Sequence, residues 1–289
     1  MKYIYYPGCT LDGSSQEYDR STRALMAALG AELVEIEDWT CCGAGAAEAN
    51  SRLMSLVLPA RNLALAERLR FDADILVPCS ACYLNMKRVG IDLKAEPGLA
   101  DKVNQALAVE NLSYQGGLKV RHLLDVLVTD FAADDITAQV TRPLSGLRVA
   151  PYYGCQSLRP YLGFDDPQRP ISMERLINAL GAEVHPWEMG AKCCGAALMT
   201  TKKEIGQTLS GAILKAAQGA DCITTVCPMC QTNLDGFQKG ISRREQANLT
   251  NTIIYLPQLI GLALGLNQDT LKLGLNLSVT KKFLNKLAA

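Results

Sequence analysis

Along this chain, short β-branched or aromatic runs alternate with longer stretches at helical spacing. Residues 2–7 (KYIYYP) form such a run and close on Pro7-Gly8, which predicts a strand with a turn behind it. Tyr18, Thr22, Leu25, Met26 and Leu29 then recur at helical spacing, with Ser14 and Glu17 placed for a capping box and Gly30 for a stop. Residues 32–37 predict a second strand, 50–69 a helix that Pro59 kinks or divides, 74–77 a third strand and 80–89 the helix after it. The alternation returns at 147–153, 183–185 and 222–226. Strands alternating with helices predict βαβ units, hence an α/β fold with a parallel sheet. The stretch 96–145, with an amphipathic helix at 120–128, is expected to pack between or across the units. Residues 252–256 read as a final strand, 259–266 as an apolar segment, and 281–287 as a basic amphipathic helix that packs terminally or meets a partner.

Length and charge narrow the classes. The 289 residues suit two domains of about 140 residues each. Twenty-nine basic side chains balance 29 acidic ones, which removes the case for nucleic acid or an anionic membrane surface as partner. No apolar run approaches the ~18–20 residues that span a bilayer, and no charged segment followed by an apolar one opens the chain. The expectation is a cytoplasmic protein without a transmembrane segment. Eleven cysteines in such a chain are held reduced, so they point to metal or redox chemistry before a disulfide scaffold. With only His122 and His185 available, any metal is bound mainly by thiolate, which favours zinc, copper(I) or iron–sulfur groups.

The cysteines expose a duplication. Cys9 is followed by Cys41-Cys42 and then by Cys79 and Cys82; Cys155 is followed by Cys193-Cys194 and then by Cys227 and Cys230. The intervals are 31 and 36 residues in the first half and 37 and 32 in the second. Neighbouring residues agree: Tyr5-Tyr6-Pro7-Gly8 answers Tyr152-Tyr153-Gly154, Ala28-Leu29-Gly30-Ala31-Glu32 answers Ala179-Leu180-Gly181-Ala182-Glu183, and Cys41-Cys42-Gly43-Ala44 answers Cys193-Cys194-Gly195-Ala196. A repeat this long means two like domains, 1–145 and 146–289 with a helical tail. In each, the cysteines follow predicted strands, and parallel strand ends share one edge, so five thiols converge there. Cys82 falls in the first turn of a helix, where N–H groups favour thiolate.

Five thiols are one more than a structural zinc site takes, and adjacent cysteines chelate a single small ion awkwardly. The spacing also lacks the close cysteine runs of cubane clusters. It favours a multinuclear iron–sulfur centre with an unusual ligand count, with zinc in one or both domains, plain thiols or mixed use remaining as alternatives. The repeated Cys…Cys-Cys-Gly…Cys-x-x-Cys pattern closely resembles the CCG-domain family, in particular the B-type subunits of heterodisulfide reductases. The resemblance covers nearly the whole chain, through Tyr6-Pro7-Gly8-Cys9, Cys41-Cys42-Gly43-Ala44, Val77-Pro78-Cys79-Ser80-Ala81-Cys82, Tyr152-Tyr153-Gly154-Cys155, Cys193-Cys194-Gly195-Ala196 and Cys227-Pro228-Met229-Cys230. It implies two noncubane [4Fe–4S] clusters as the reactive centres, held by Cys9, Cys41, Cys42, Cys79 and Cys82 and by Cys155, Cys193, Cys194, Cys227 and Cys230. It further implies a disulfide oxidoreductase subunit that splits or forms a disulfide or organosulfur substrate between the clusters, together with a C-type iron–sulfur subunit and an A-type flavoprotein. Electron-transfer or quinone-linked subunits, and sulfur-oxidation complexes acting on protein-bound sulfur, share such domains. The interval of 32 residues after Cys194 is shorter than usual for the family and predicts a shortened helix.

No G-x-G-x-x-G fingerprint for a flavin or nicotinamide follows a strand, so electrons come from or go to a partner. Gly8, Gly43, Gly45, Gly154 and Gly195 border the thiols and are expected to let backbone approach a bulky group. Cys222, outside the repeat, reads as a buried strand thiol and His185 as a structural histidine. The tyrosine pairs read mainly as core, and His122 as an unremarkable residue in its helix, far from the motifs.

Overall fold

The computed structural model describes residues 1–288 and contains two four-stranded sheets. β1 (Lys2–Tyr5), β2 (Glu32–Glu35), β3 (Ile75–Val77) and β4 (Val120–His122) lie in the order β2-β1-β3-β4. β5 (Arg148–Tyr152), β6 (Glu183–Val184), β7 (Cys222–Thr225) and β8 (Thr252–Tyr255) repeat it as β6-β5-β7-β8. Every pairing is parallel and helices flank both sheets, which is the α/β duplication expected. The chain switches direction across each sheet at β1/β3 and β5/β7, and such a switch leaves a crevice at the carboxyl ends of the strands.

Register refines the repeat. Tyr5 pairs with Leu76, three residues before Cys79, whereas Tyr152 pairs with Thr225, two before Cys227. The counterpart of Tyr152 is therefore Tyr6, and that of Tyr153 is Pro7.

Three local expectations are corrected. The first long helix is Gln16–Ala28, with Ser15 at its N-cap and no side-chain cap bond, so the Ser14–Glu17 box does not form. A short helix, Cys9–Asp12, occupies the approach, and the Ser15 N–H bonds to the Thr10 carbonyl. Pro59 does not divide its helix: Arg52–Glu67 runs through it, held in line by the buried Leu56, Ala60 and Leu63. Residues 120–128 are not one helix but β4 followed by Leu123–Thr129, with the His122 ring accepting the Leu124 N–H at the junction. Three residues are too few to display strand alternation, and the sheet decides their conformation by offering β3 a partner. The second half does the same with β8 and Leu256–Ala263.

Residues 96–145 are thus partly in the first sheet and partly across the join. Thr137 donates to the Ala179 carbonyl, and the N–H groups of Thr141 and Arg142 to that of Ala263. The shortened helix is present: Lys203–Ala216 has 14 residues where Arg52–Glu67 has 16. The terminal helix Lys281–Ala288 packs, burying Phe283 and placing Lys282 and Lys286 on Asp221. Among the described residues, no helix is long and apolar enough to cross a membrane.

Arg121, buried in β4, ties Asp74, Asp125 and Asp130 together. Arg121→Met would leave three carboxylates facing one another, and we expect a loss of about 3–5 kcal/mol in denaturant unfolding. Burial pushes the Asp130 carboxyl up, but hydrogen bonds from Arg121, Tyr3 and Thr129 outweigh it and hold the group below its ordinary range. This contribution is present above the unfolded carboxylate pKa and disappears as pH falls through the lower folded value. Melting curves in acid should therefore converge for wild type and variant.

Candidate functional site

Each sheet delivers five thiols to its carboxyl edge. In the first half the Cys9 and Cys41 sulfurs lie 3.4 Å apart, Cys41 contacts Cys42, Cys42 reaches Cys82 at 3.1 Å, and Cys82 contacts Cys79. In the second half Cys155 contacts Cys193, Cys194 reaches Cys230 at 3.5 Å, and Cys230 contacts Cys227. Cys42, Cys79, Cys82, Cys194, Cys227 and Cys230 are buried, Cys155 is half-buried, and Cys9, Cys41 and Cys193 are exposed. All ten expected residues are thus gathered into two sets. Cys222 is buried in β7 as expected, and burial pushes its thiol up.

Local structure fixes these positions. Each Cys-x-x-Cys begins a helix, with Cys79 and Cys227 at the N-cap and Cys82 and Cys230 in the first turn. Gly8 and Gly154 adopt φ of +77° and +71°, and a Cβ on them would stand 3.1 Å from the Cys82 sulfur and 3.0 Å from that of Cys230. Only glycine leaves that ground clear. The Tyr6 hydroxyl donates to the Thr40 carbonyl (2.7 Å) and the Tyr152 hydroxyl to that of Lys192 (2.8 Å), anchoring the residue before each Cys-Cys pair. Both rings meet a tryptophan edge-on, Trp39 and Trp187.

Donors also aim at the sulfurs. Gly43 and Gly195 give their N–H groups to Cys41 and Cys193, at 3.4 and 3.3 Å. Asn85 and Asn233, each three residues after its Cys-x-x-Cys, turn their amides toward Cys42 and Cys194. Hydrogen bonds from Cys41 and Cys82 hold the Cys42 thiol down at about 4, while its neighbours Cys41 and Cys82 are pushed up. Close thiols cannot all ionise together without a cation among them. Among the described residues, no three Cys, His, Asp or Glu side chains close on the ligand geometry of one metal ion. A chain of five soft sulfurs around glycine-cleared space, with N–H donors facing it, fits a polynuclear group better than a single ion.

Sequence reasoning missed the residues that join the sets. The Tyr18 hydroxyl donates to the carbonyls of Pro78 (3.0 Å) and Val226 (3.1 Å), which immediately precede Cys79 and Cys227. Its ring stacks on Tyr255, at the end of β8, with centroids 4.0 Å apart. Phe164 lies parallel to the His122 ring, at the end of β4, with the centroids 6.2 Å apart. Tyr18 lies nine residues after Cys9, and Phe164 nine after Cys155, so each half sends an aromatic ring onto the other's fourth strand. That shared offset was the available signal, as was the shared position of Asn85 and Asn233. His122 is also not remote: its Nε2 lies 3.1 Å from the Ser80 hydroxyl, which donates to Val226. Burial lowers the imidazole to about 4, so it is neutral near pH 7. His185 is structural as expected, with Nε2 3.2 Å from the Ala216 carbonyl.

Two parallel α/β halves, each gathering five thiols at its switch point, define a duplicated cysteine-rich protein. The chain belongs to the CCG cysteine-rich domain family, whose model matches residues 3–87 and again 149–235. It is 39% identical, over 96% of both chains, to a protein of Wolinella succinogenes named 8-methylmenaquinol:fumarate reductase membrane anchor subunit. It is 27% identical, over 99% of this chain and 97% of the other, to the B-type subunit of the Methanosarcina acetivorans ferredoxin/F420H2-dependent CoB-CoM heterodisulfide reductase. A protein of Archaeoglobus profundus, named for its likeness to the B-type heterodisulfide reductase subunits, is 28% identical over 93% and 92% of the two chains. The named reductases make these relatives oxidoreductase subunits. A crystal structure of a hypothetical protein from Helicobacter pylori shares the fold (TM-score 0.79, 15% identity); it covers 97% of this chain, which spans about half (52%) of that one.

In reduced, chelator-treated protein, the exposed Cys9, Cys41 and Cys193 should alkylate with iodoacetamide well before the buried thiols, as read by peptide mass spectrometry. Tyr18→Phe should cost about 1–2 kcal/mol in unfolding, because the buried Pro78 carbonyl loses its partner while Val226 keeps Ser80.

Proposed function

We propose that this chain is an iron–sulfur redox subunit of a larger complex, in which each five-thiol set holds one noncubane [4Fe–4S] cluster and the pair relays electrons for a quinol-linked reductase. The domain division at 145/146 and the ten ligands Cys9, Cys41, Cys42, Cys79, Cys82, Cys155, Cys193, Cys194, Cys227 and Cys230 are part of this reading. The observation that carries it is Tyr18, which fills the ground between Cys79 and Cys227 and links the two strand-end carbonyls through one hydroxyl. One hydroxyl proton shared between the two carbonyls, on a ring held by stacking against Tyr255, links the backbone beside one set to the backbone beside the other. Similarity adds weight, with 39% identity to the quinol-linked subunit against 26–28% to proteins named for heterodisulfide reductase.

A bound cluster supplies one-electron chemistry at each set. The residues of the chain supply the rest. Gly8 and Gly154 keep the space open, and the N–H groups of Gly43 and Gly195 with the amides of Asn85 and Asn233 offset negative charge on the sulfurs, which raises a reduction potential. The buried thiols Cys42, Cys79, Cys82, Cys194, Cys227 and Cys230 exclude water from the inner side.

The second reading is the disulfide oxidoreductase subunit with C-type and A-type partners, favoured by relatives named for that activity along nearly the full chain.

The test is anaerobic purification of the full chain, with iron, acid-labile sulfide and zinc measured together and EPR recorded with and without the CoB-CoM disulfide. Under our reading there are about eight irons per chain and little zinc. The signals then respond to reductant and ignore the disulfide. Cleavage of the disulfide with a changed signal would replace this reading with the second. Stoichiometric zinc with little iron would overturn both. Gly8→Ala and Gly154→Ala should each remove about half of the iron and leave the circular dichroism unchanged, since each Cβ crowds one set only.

A further inference from the structure

The segment that carries Phe164 also closes a cavity of about 480 Å³ against the helix Ser80–Ala95, within the ~300–1,000 Å³ of ordinary ligand pockets. Tyr83, Tyr114, Phe164, Lys87, Leu162 and Ile91 are among its walls. Lys87 Nζ donates to the Tyr83 hydroxyl (3.0 Å) and to the Leu162 carbonyl (2.9 Å), which leaves one of its three protons. Among the described residues, the Tyr83 hydroxyl has no hydrogen-bond acceptor, so it and Lys87 offer two donors on one wall of a cavity that Lys119, Asp125 and Thr129 also line. Of the lining residues, Leu162 is 82% exposed and Ile91 39%, which makes an apolar lip in solvent.

The placement matters as much as the chemistry. Tyr83 directly follows Cys82, and its ring meets His122 edge-on with centroids 5.5 Å apart. His122 in turn reaches Ser80, beside Cys79. One wall of the cavity, Tyr83, is thus the residue that follows Cys82 of the first five-thiol set. The duplicate lacks this pair of donors: Gln231 and Asp235 stand where Tyr83 and Lys87 would, and Asp235 is taken by the Leu277 N–H and the Ser278 hydroxyl.

We propose that this cavity binds the headgroup of a quinol or quinone, with Lys87 and Tyr83 hydrogen-bonded to one ring oxygen and the apolar tail leaving past Leu162 and Ile91. The proposal rests on the reading of the chain as a quinol-linked redox subunit and assigns that function a place. Oxidation of the bound quinol breaks two O–H bonds. Its two protons would pass to water at the open mouth, and its two electrons would be taken one at a time by the groups that the two thiol sets would hold, leaving the quinone. Reduction runs the same balance backwards. Hydrogen-bond donors for a ring oxygen, aromatic side chains for a flat ring and an apolar way out for a tail are what such a two-electron carrier requires.

The test is calorimetric titration of the anaerobically purified full chain with menadione, together with iron analysis and circular dichroism. Wild type should bind. Lys87→Met should weaken binding at least tenfold. Gly163→Leu should abolish it, because a side chain there meets Tyr83 and Lys87 at ordinary contact distance and fills the cavity. Lys239→Met, in the other half, should bind as wild type does, and all variants should keep their iron. The proposal is overturned if wild type does not bind, or if folded Lys87→Met and Gly163→Leu bind unchanged. Menadione binding with this variant pattern in protein that holds no iron would sink the redox reading and leave the site standing. Full iron content without binding would sink the site alone.

Discussion

Pro78 and Val226 each stand one residue before a cysteine, and their carbonyls share a single hydroxyl, that of Tyr18. The arrangement of both thiol sets depends on that sharing. A parallel strand ends in carbonyls that no neighbouring strand satisfies, and a buried carbonyl without a partner is costly. Two halves that each bury such an end can settle the matter only by meeting. Tyr18 and Ser80 supply the donors, and Tyr255 and His122 supply flat surfaces for the crossing rings. Because the partners are backbone atoms next to Cys79 and Cys227, the contact that joins the halves also fixes the relation between the two sets.

Much of this was legible in the residues. Ten cysteines in a repeated order implied a duplication, and their position after short apolar runs implied convergence, because parallel strands end on one edge. The glycines were legible too, since Gly8 and Gly154 sit where any Cβ would crowd a sulfur. What stayed hidden depended on tertiary context. β4 is three residues long and its apolar pattern runs on into the helix behind it, so the periodicity of residues 120–128 pointed to helix throughout. The Ser14–Glu17 capping pattern yielded to a short helix upstream. His122 read as bland because its ring reaches Ser80 only through the pairing of β3 and β4, which the sequence does not announce.

The two halves are alike where they handle sulfur and differ where they meet each other. Tyr6 and Tyr152, Gly43 and Gly195, and Asn85 and Asn233 do the same work at the same places. Each pair acts on the residue before a Cys-Cys or on a sulfur itself, so a change in one half alone would make the two sets unequal. Residues without that duty have diverged. Ser80 answers Pro228, His122 answers Tyr255, and Tyr18 answers Phe164, which has no hydroxyl to offer a carbonyl.

The last of these differences gives the interface a direction. Tyr18 bonds to both strand ends, whereas Phe164 can only stack, so one crossing segment is pinned at the join and the other is held by packing and by Lys87 on the Leu162 carbonyl. The pinned segment buries its ring completely, with Tyr18 wholly out of solvent, while the segment around Phe164 leaves Leu162 in water and space beneath it. A duplicated fold would place equal surfaces on both sides. Phenylalanine replaces tyrosine at one crossing, and Tyr83 and Lys87 stand where the other half has Gln231 and Asp235, so the donors beside the Phe164 segment have no equivalent on the other side. The first thiol set thereby acquires an accessible neighbour with a pair of donors that the equivalent place in the second half does not offer.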